Sequence, residues 1–383
     1  MKSTKKKLIN SNILKFLKRF FLSLAVLLLV STLSIGIFVY SSPQFGQSPE
    51  GKQLLLIKES SHYNEGVFQN LVATSVDMPS GDMLDVLKEF LVGDESRVPS
   101  KPLPTAFSNN AGLADSITKI TWYGHSAVLL VIDGKKILFD PMLGSASSPV
   151  PFLTKRFPYD SPIPIDDLGY IDFVIISHDH YDHLDMPTIK KIKENVGHFY
   201  TALGVESHLI SWGIPEDQIT SLDWWQTSEQ MGLLFVSTPA RHFSGRGLTD
   251  RNKTQWASWV VKGKKESIYF SGDGGYSDHF KKIGKEYGPF DLAMIECGQY
   301  DKRWSEIHLT PEETAQAALD LNAKKAMPIH WGAFNLSLHS WTDPIERVKK
   351  AAQRLDVDLI HPVIGRQFPI HESPRSDWWA FEK

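Results

Sequence analysis

Cysteine is nearly absent: Cys297 stands alone among 383 residues, so no disulfide can form within the chain. Set in the apolar run "AMIECGQY", it reads as a small core residue. Excess positive charge is lacking too. The 41 Lys and Arg against 44 Asp and Glu leave a formal net charge of −3, which offers no basic face to nucleic acid. There is no internal repeat and no low-complexity tract. No G-x-S-x-G elbow surrounds Ser126 or Ser177, so neither serine reads as a nucleophile of that type. What remains is ordinary globular composition, 42% apolar and 22% charged, on a chain long enough for one large domain or two modest ones.

The basic residues cluster at one end. Lys2, Lys5, Lys6, Lys7, Lys15, Lys18 and Arg19 precede "FFLSLAVLLLVSTLSIGIFVY" at 20–40, a run without a charge. About 20 such residues cross the hydrocarbon core as a helix. The upstream cations predict a cytoplasmic tail and place everything after Tyr40 on the extracytoplasmic, periplasmic side. A cleaved signal peptide is the rival reading, but the apolar core is long for one and no A-x-A site follows. No cysteine ends the run, which excludes a lipid anchor of the lipobox kind.

The chain then divides into a basic tail and anchor over 1–41, a linker and lead-in over 42–115, and a main domain over 116–383. In the lead-in, "SSPQFGQSPEG" and "RVPSKPLPTAFSNN" read as extended linkers. Between them "GDMLDVLKEFLVG" sets Leu84, Leu87 and Leu91 at helical spacing, predicting one short helix docked on the main domain. From Ile117 the pattern turns to strands: three in "ITWYGHSAVLLVIDGKKILFDPM", with "DGKK" as a tight hairpin turn, then "DFVIIS", "LLFVSTPA", "SWVVKG", "SIYFSGD", "DLAMIEC" and "AMPIHW". Helices follow "DFVIIS" ("MPTIKKIKENV") and occupy "TPEETAQAALDLN", where Thr310 is the cap, Pro311 the first helical residue and Glu313 the partner in a capping box. Strands first and helices interspersed later predict a layered α/β sandwich.

The stretch "ISHDHYDHLD" (176–185) packs three histidines and three aspartates beyond a buried strand. Alternate residues of extended backbone point the same way, so His178 and His180 can grip one ion from one side. Asp182 and His183, further round the turn, face a second position. Imidazole with carboxylate suits zinc, iron or manganese. Four ligands do not fill two sites, and His242, Asp273 and His330 each follow another run of β character. Singly each is an ordinary structural residue; with the cluster they form a constellation in which Asp273 can bridge. Asp140, Asp179 and Asp185 are candidates to anchor ligand rings or cap turns.

This H-x-H-x-D-H pattern with a distant His, Asp and His resembles the metallo-β-lactamase superfamily. More narrowly, "TWYGHSAVLL", "LFDPM", "KRFPYDSPIPIDDL", "IDFVIISHDHYDHLD", "LDWW", "SGDGGYSDHFKKIGKEYGPFDLAMI" and "HLTPEETAQAALDLNAKKAMPIHWGAF" resemble the N-acylphosphatidylethanolamine-hydrolysing phospholipase D family over about residues 117–345. The resemblance implies a four-layered αββα fold and two Zn2+. His178, His180 and His242 would hold one ion, Asp182, His183 and His330 the other, with Asp273 between them and His308 near the substrate phosphate. His125 lies close to the site in that family, where hydrogen bonding within the fold is its simplest role.

The chemistry expected of such a pair is a shared water, acidified by two cations roughly 3.5–4 Å apart, attacking phosphorus as hydroxide. Asp182 or Asp273 would orient it, and His308 would stabilise or protonate the departing alcohol. The expected partner is a phospholipid, cleaved to phosphatidate and an N-acylethanolamine. The loop "SPVPFLTKRFPYDSPIP" would offer Phe152, Leu153, Phe157 and Tyr159 as an apolar lip, with Lys155 and Arg156 meeting headgroups. The alternatives are a lactonase or other hydrolase on the same scaffold, and a non-catalytic metal-binding envelope protein. Against the last stands the ligand set, since structural zinc sites are usually closed and mononuclear.

Overall fold

The computed structural model describes residues 2–75, 80–107 and 116–382. Two compact units divide the chain, residues 1–45 and 46–383. The first is built on α1 (Lys2–Ser41), whose stretch Ile13–Ser41 is long and apolar enough to cross a membrane and is wholly unburied.

The second unit begins with α2 (Gly51–Glu59), the small hairpin β1 (Tyr63–Asn64) and β2 (Val67–Phe68), and α3 (Ser80–Val92). Next come β3 (Lys119–Trp122), β4 (Val128–Ile132), β5 (Lys135–Phe139), β6 (Ile171–Ile176), α4 (Met186–Ile192), β7 (Val196–Ala202), α5 (Glu206–Ser211) and β8 (Ile219–Leu222). The remainder comprises β9 (Thr227–Gln230), β10 (Leu233–Thr238), β11 (Ser258–Lys262), β12 (Ser267–Phe270), α6 (His279–Tyr287), β13 (Leu292–Glu296), α7 (Pro311–Asp320), β14 (Ala326–Ile329), α8 (Asp343–Leu355) and β15 (Gln367–Pro369).

The strands form two mixed sheets, ordered β15-β3-β4-β5-β6-β7-β8 and β14-β13-β12-β11-β10-β9. The β4–β5 hairpin closes on Asp133 and Gly134, both in left-handed backbone at φ 51° and 74°, as a two-residue primed turn requires. β6 runs parallel to both neighbours and is almost entirely apolar and buried, which is what a strand covered on both faces needs. The sheets meet through aromatic pairs such as Phe139–Phe270 and Phe173–Phe235, each 4.8 Å between ring centres. Helices α4 and α5 connect the parallel strands β6, β7 and β8. Helices α6, α7 and α8 pack in series, with α7 against β13 and β14. The predicted αββα sandwich is the fold observed, and the capping box at Thr310 and Glu313 is formed.

The lead-in departs from its reading as linker. Ile57, Phe68 and Leu103 are buried in the main core, so much of 46–107 is packed onto the domain. Helix α3 forms where predicted, but Leu84, Leu87 and Leu91 do not dock; they are 68%, 55% and 78% exposed. The helix is held through polar contacts instead: Arg303 pairs with Glu89 at 2.9 Å, and Arg97 donates to the Glu89 carbonyl at 3.1 Å. The end of "RVPSKPLPTAFSNN" beyond Phe107 lies outside the described residues.

Candidate metal centre

β6 ends at Ile176, and the next residue is tied down at once. The Ser177 amide and hydroxyl both donate to the buried Asp140 carboxylate, each at 2.7 Å. The chain then turns so that His178 Nε2 lies 2.9 Å from His180 Nδ1, with His242 Nε2 at 3.2 Å from the same atom. His242 Nδ1 meets the Ile307 carbonyl at 2.8 Å and His178 Nδ1 meets the Ser177 hydroxyl at 2.8 Å. A carbonyl only accepts, so the His242 proton sits on Nδ1 and its Nε2 offers a lone pair. Burial pushes the pKa of His178 and His242 well below the ordinary histidine value, keeping both rings neutral. Three nitrogens converge on one point, and with the His242 proton on Nδ1 they cannot all be hydrogen-bonded to one another.

Beside them, Asp182 Oδ2 lies 2.9 Å from His125 Nε2, 3.2 Å from His330 Nε2 and 3.5 Å from His183 Nε2. Asp273 Oδ2 is reached from both groups. It is 3.0 Å from His330 Nε2 and 3.1 Å from His183 Nε2, and 3.9 and 4.0 Å from the Nε2 atoms of His242 and His178. Burial would raise both carboxyl groups, but the facing histidines, His183 above all, outweigh it and hold them well below the usual carboxylate range. Conversely, burial lowers His330, yet Asp273 and Asp182 outweigh it and push it up to about 10. His183 is raised well above its usual value by the same contest, with Asp273 the strongest of the carboxylates.

The fit to bound cations follows from atoms left over. His183 Nε2 and Asp273 Oδ1 are buried with no hydrogen-bond partner, although His183 Nε2 lies close to Asp273 Oδ2. Buried polar atoms are nearly always satisfied, and His183 Nε2, set toward Asp182 and Asp273, is one left over inside the cluster. Nitrogen and carboxylate donors in this mixture match a transition-metal site. All seven predicted ligands are brought together, from the ends of four strands.

Several supporting roles are now explicit. Asp140 Oδ2 meets His183 Nδ1 at 2.7 Å, fixing that ring. His125 takes the hydrogen-bonding role expected of it, with Asp182 as its partner at 2.9 Å; burial, with His330 next to it, pushes it down to about 3. His125 and His330 both sit in left-handed backbone, φ 54° and 66°, bonded to each other through their main chains. Residues without glycine's freedom pay for that geometry and concentrate at functional sites. Asp185 caps α4 through Thr188, and Asp179 accepts from Gly245, Thr254 and His208 rather than from a ligand ring. His308 stands beside the cluster, its ring 5.1 Å from that of His242 and 5.3 Å from that of His330. Sequence reading missed Glu296, whose carboxylate meets His308 Nδ1 at 3.1 Å. The signal was present: like the ligands, it sits where an apolar strand ends.

The expected lip is only partly formed. Phe152 and Leu153 are exposed at 72% and 50%, but Phe157 is buried. The Tyr159 hydroxyl donates to the Tyr123 and Gly332 carbonyls. Arg156 is engaged inward, donating to the Gly144 carbonyl at 2.8 Å and covering the Phe334 ring at 4.5 Å.

Residues 135–331 match the family described as the beta-lactamase superfamily domain, and the chain belongs to that superfamily. A protein of Mycobacterium tuberculosis is 37% identical over 328 residues, covering 84% of this chain and 88% of its own length. The N-acyl-phosphatidylethanolamine-hydrolyzing phospholipase D 1 of Caenorhabditis elegans is 34% identical over 244 residues, covering 60% of this chain and 68% of its own. Among solved structures, a metallo hydrolase from Ignicoccus hospitalis superposes with a TM-score of 0.51 at 20% identity, covering 66% of this chain and 97% of its own. The chain is thus a metal-dependent hydrolase by family.

Proposed function

We propose that this chain is a membrane-anchored phosphodiesterase that cleaves N-acylphosphatidylethanolamine to phosphatidate and an N-acylethanolamine, using two zinc ions. The observation that carries the reading is Asp273, one carboxylate oxygen set within 4.0 Å of ring nitrogens from both histidine groups. His178, His180 and His242 would hold one ion, and Asp182, His183 and His330 the other. When bound, such a pair acidifies a water and neutralises charge growing on phosphate oxygens.

The chain's own residues supply the rest. Asp140 and His125 hold His183 and Asp182 in place. Asp182 and Asp273 orient the attacking water, and His308 hands a proton to the departing alcohol. Two divalent ions would attract an anionic phosphodiester more strongly than a neutral lactone. The exposed Phe152 and Leu153, with the outward leucines of α3, suit a substrate that lies in a bilayer. The cations of α1 that precede its apolar run 20–40 favour an extracytoplasmic catalytic unit.

The test is lipid mass spectrometry of turnover by the full chain, with and without chelator, beside His183→Ala. Phosphatidate and acylethanolamide should appear only with metal and intact His183. Products that persist in chelator, or their absence from the metal-loaded wild type, refute the reading.

A further inference from the structure

Glu296 is the last residue of β13 and is fully buried. A buried carboxylate is costly unless its oxygens are satisfied, and these are. Oε1 accepts from the Leu309 amide at 2.6 Å and Oε2 from the Gly274 amide at 3.3 Å. Both oxygens also face His308 Nδ1, at 3.2 and 3.1 Å. The carboxylate is thereby clamped between the residue after Asp273 and the residue after His308.

That clamp settles the orientation of the His308 ring. Nδ1 is committed to Glu296, which leaves Nε2 on the opposite edge. The ring lies nearly parallel to His330, 12° between planes, and crosses His242 at 69°. Its side chain is 14% exposed whereas that of Glu296 is not exposed at all, so a substrate can reach His308 but not the acid behind it. Glu296 could instead be a metal ligand, since Asp273, Glu296, His308 and His330 offer atoms within 4.8 Å of one another. The geometry argues otherwise. Asp182 and Asp273 face Nε2 of His330, while Glu296 approaches its Nδ1 edge at 3.9 Å. Its oxygens are already engaged by amides and by His308.

We propose that Glu296 is a positioning residue: it holds the His308 ring so that Nε2 is presented to the leaving oxygen of the phosphodiester. This rests on the phosphodiesterase reading. In the hydrolysis, water oxygen bonds to phosphorus and the bond from phosphorus to the alcohol oxygen breaks. The alcohol oxygen takes the bond pair and a proton from His308 Nε2. The proton lost by water goes to solvent, from which His308 is restored.

An aliphatic alkoxide needs that proton, whereas a nitrophenolate departs without it. The probes are a short-chain, soluble N-butyryl-phosphatidylethanolamine and its analogue with nitrophenol as the leaving alcohol. Glu296→Gln should lower kcat on the aliphatic diester by about 100-fold, the scale of a general acid, with a loss at least tenfold smaller on the nitrophenyl diester. KM and the metal content by elemental analysis should stay near wild type. In a His308→Ala background, Glu296→Gln should add nothing. Should the Gln variant fold poorly by circular dichroism, Glu296→Asp carries the same comparison and should lose less. Equal losses on the two diesters, additive losses with His308→Ala, or departure of metal would each overturn the inference while sparing the phosphodiesterase reading. A wild type that cleaves neither diester overturns both.

Discussion

Asp140→Asn is the most telling single change, because the network around Asp140 permits no neutral substitute. One carboxylate oxygen accepts from the Ser177 amide at 2.7 Å; the other accepts from the Ser177 hydroxyl at 2.7 Å and faces His183 Nδ1 at 2.7 Å. An asparagine must turn its NH2 toward one of these. Turned to Ser177, it opposes a backbone N–H and leaves two donors facing each other. Turned to His183, it accepts no proton from Nδ1, and the ring must carry its proton on Nε2, the atom aimed at Asp273. Either way a buried donor loses its partner, costing about 1–3 kcal/mol. Loss of such an anchoring group typically weakens metal affinity by about 10–100-fold. Competition against a chromogenic chelator, with circular dichroism to confirm the fold, measures it. Asp185→Ala is the control: it removes the cap of α4 and should lower Tm, by about 1 kcal/mol in stability, without moving affinity. A folded Asp140→Asn with wild-type affinity would refute the argument.

Three further outcomes follow from other parts of the molecule. A Cβ at Gly275 would overlap the Glu306 carbonyl, two residues before His308, so Gly275→Ala should cost roughly 1–3 kcal/mol in denaturant unfolding and impair turnover; unchanged stability contradicts it. Glu206 is raised from 4.5 to about 7 by burial, so it stabilises the fold below the unfolded value and loses that contribution as pH climbs through the folded one. The wild type should therefore shed up to about 3 kcal/mol between pH 4.5 and 8 relative to Glu206→Gln, and parallel stability curves would disprove it. Phe152→Ser with Leu153→Ser should weaken turnover of lipid in vesicles by roughly tenfold or more, given about 1.5–3 kcal/mol for burying such a side chain, yet spare a soluble short-chain diester; equal loss on both rules out the lip.

What the sequence made legible was wherever chemistry interrupts apolar pattern. His178, His242, Asp273 and His330 stand out because each lies a few residues past a mostly apolar strand. Helix α7 stands out because Thr310, Pro311 and Glu313 spell its start, whereas α8 was missed although Pro344 stands in its first turn. Glu296 was readable by the same rule yet looked like the edge of a strand. The left-handed backbone of His125 and His330 was not readable, because it depends on main-chain bonds between segments about 200 residues apart in sequence. Nor was the direction of α3: helical spacing gives a face, not the surface it meets, and Glu89 with Arg303 decides that here.

The topology explains why ligands so far apart in sequence meet at all. In parallel pairing, neighbouring strands end at the same edge. Phe270 pairs with Met294 and Met294 with Met327, so the residues just past these positions, Asp273, Glu296 and His330, are delivered side by side. In the other sheet Phe139 pairs with Ile175, which sets Asp140 against Ser177 and brings His178 to its own edge. Each register is pinned by the buried aromatics between the sheets, because a slip of one residue would turn every inward side chain outward. The same constraint that keeps Phe139 on Phe270 therefore keeps Asp140 on His183 and Asp273 between the two histidine groups. It also places a carboxylate from β13 behind His308 without any loop having to find it. Glu296 joins the cluster for the same structural reason as the predicted ligands, and that is why its burial beside His308 supports the positioning role proposed for it.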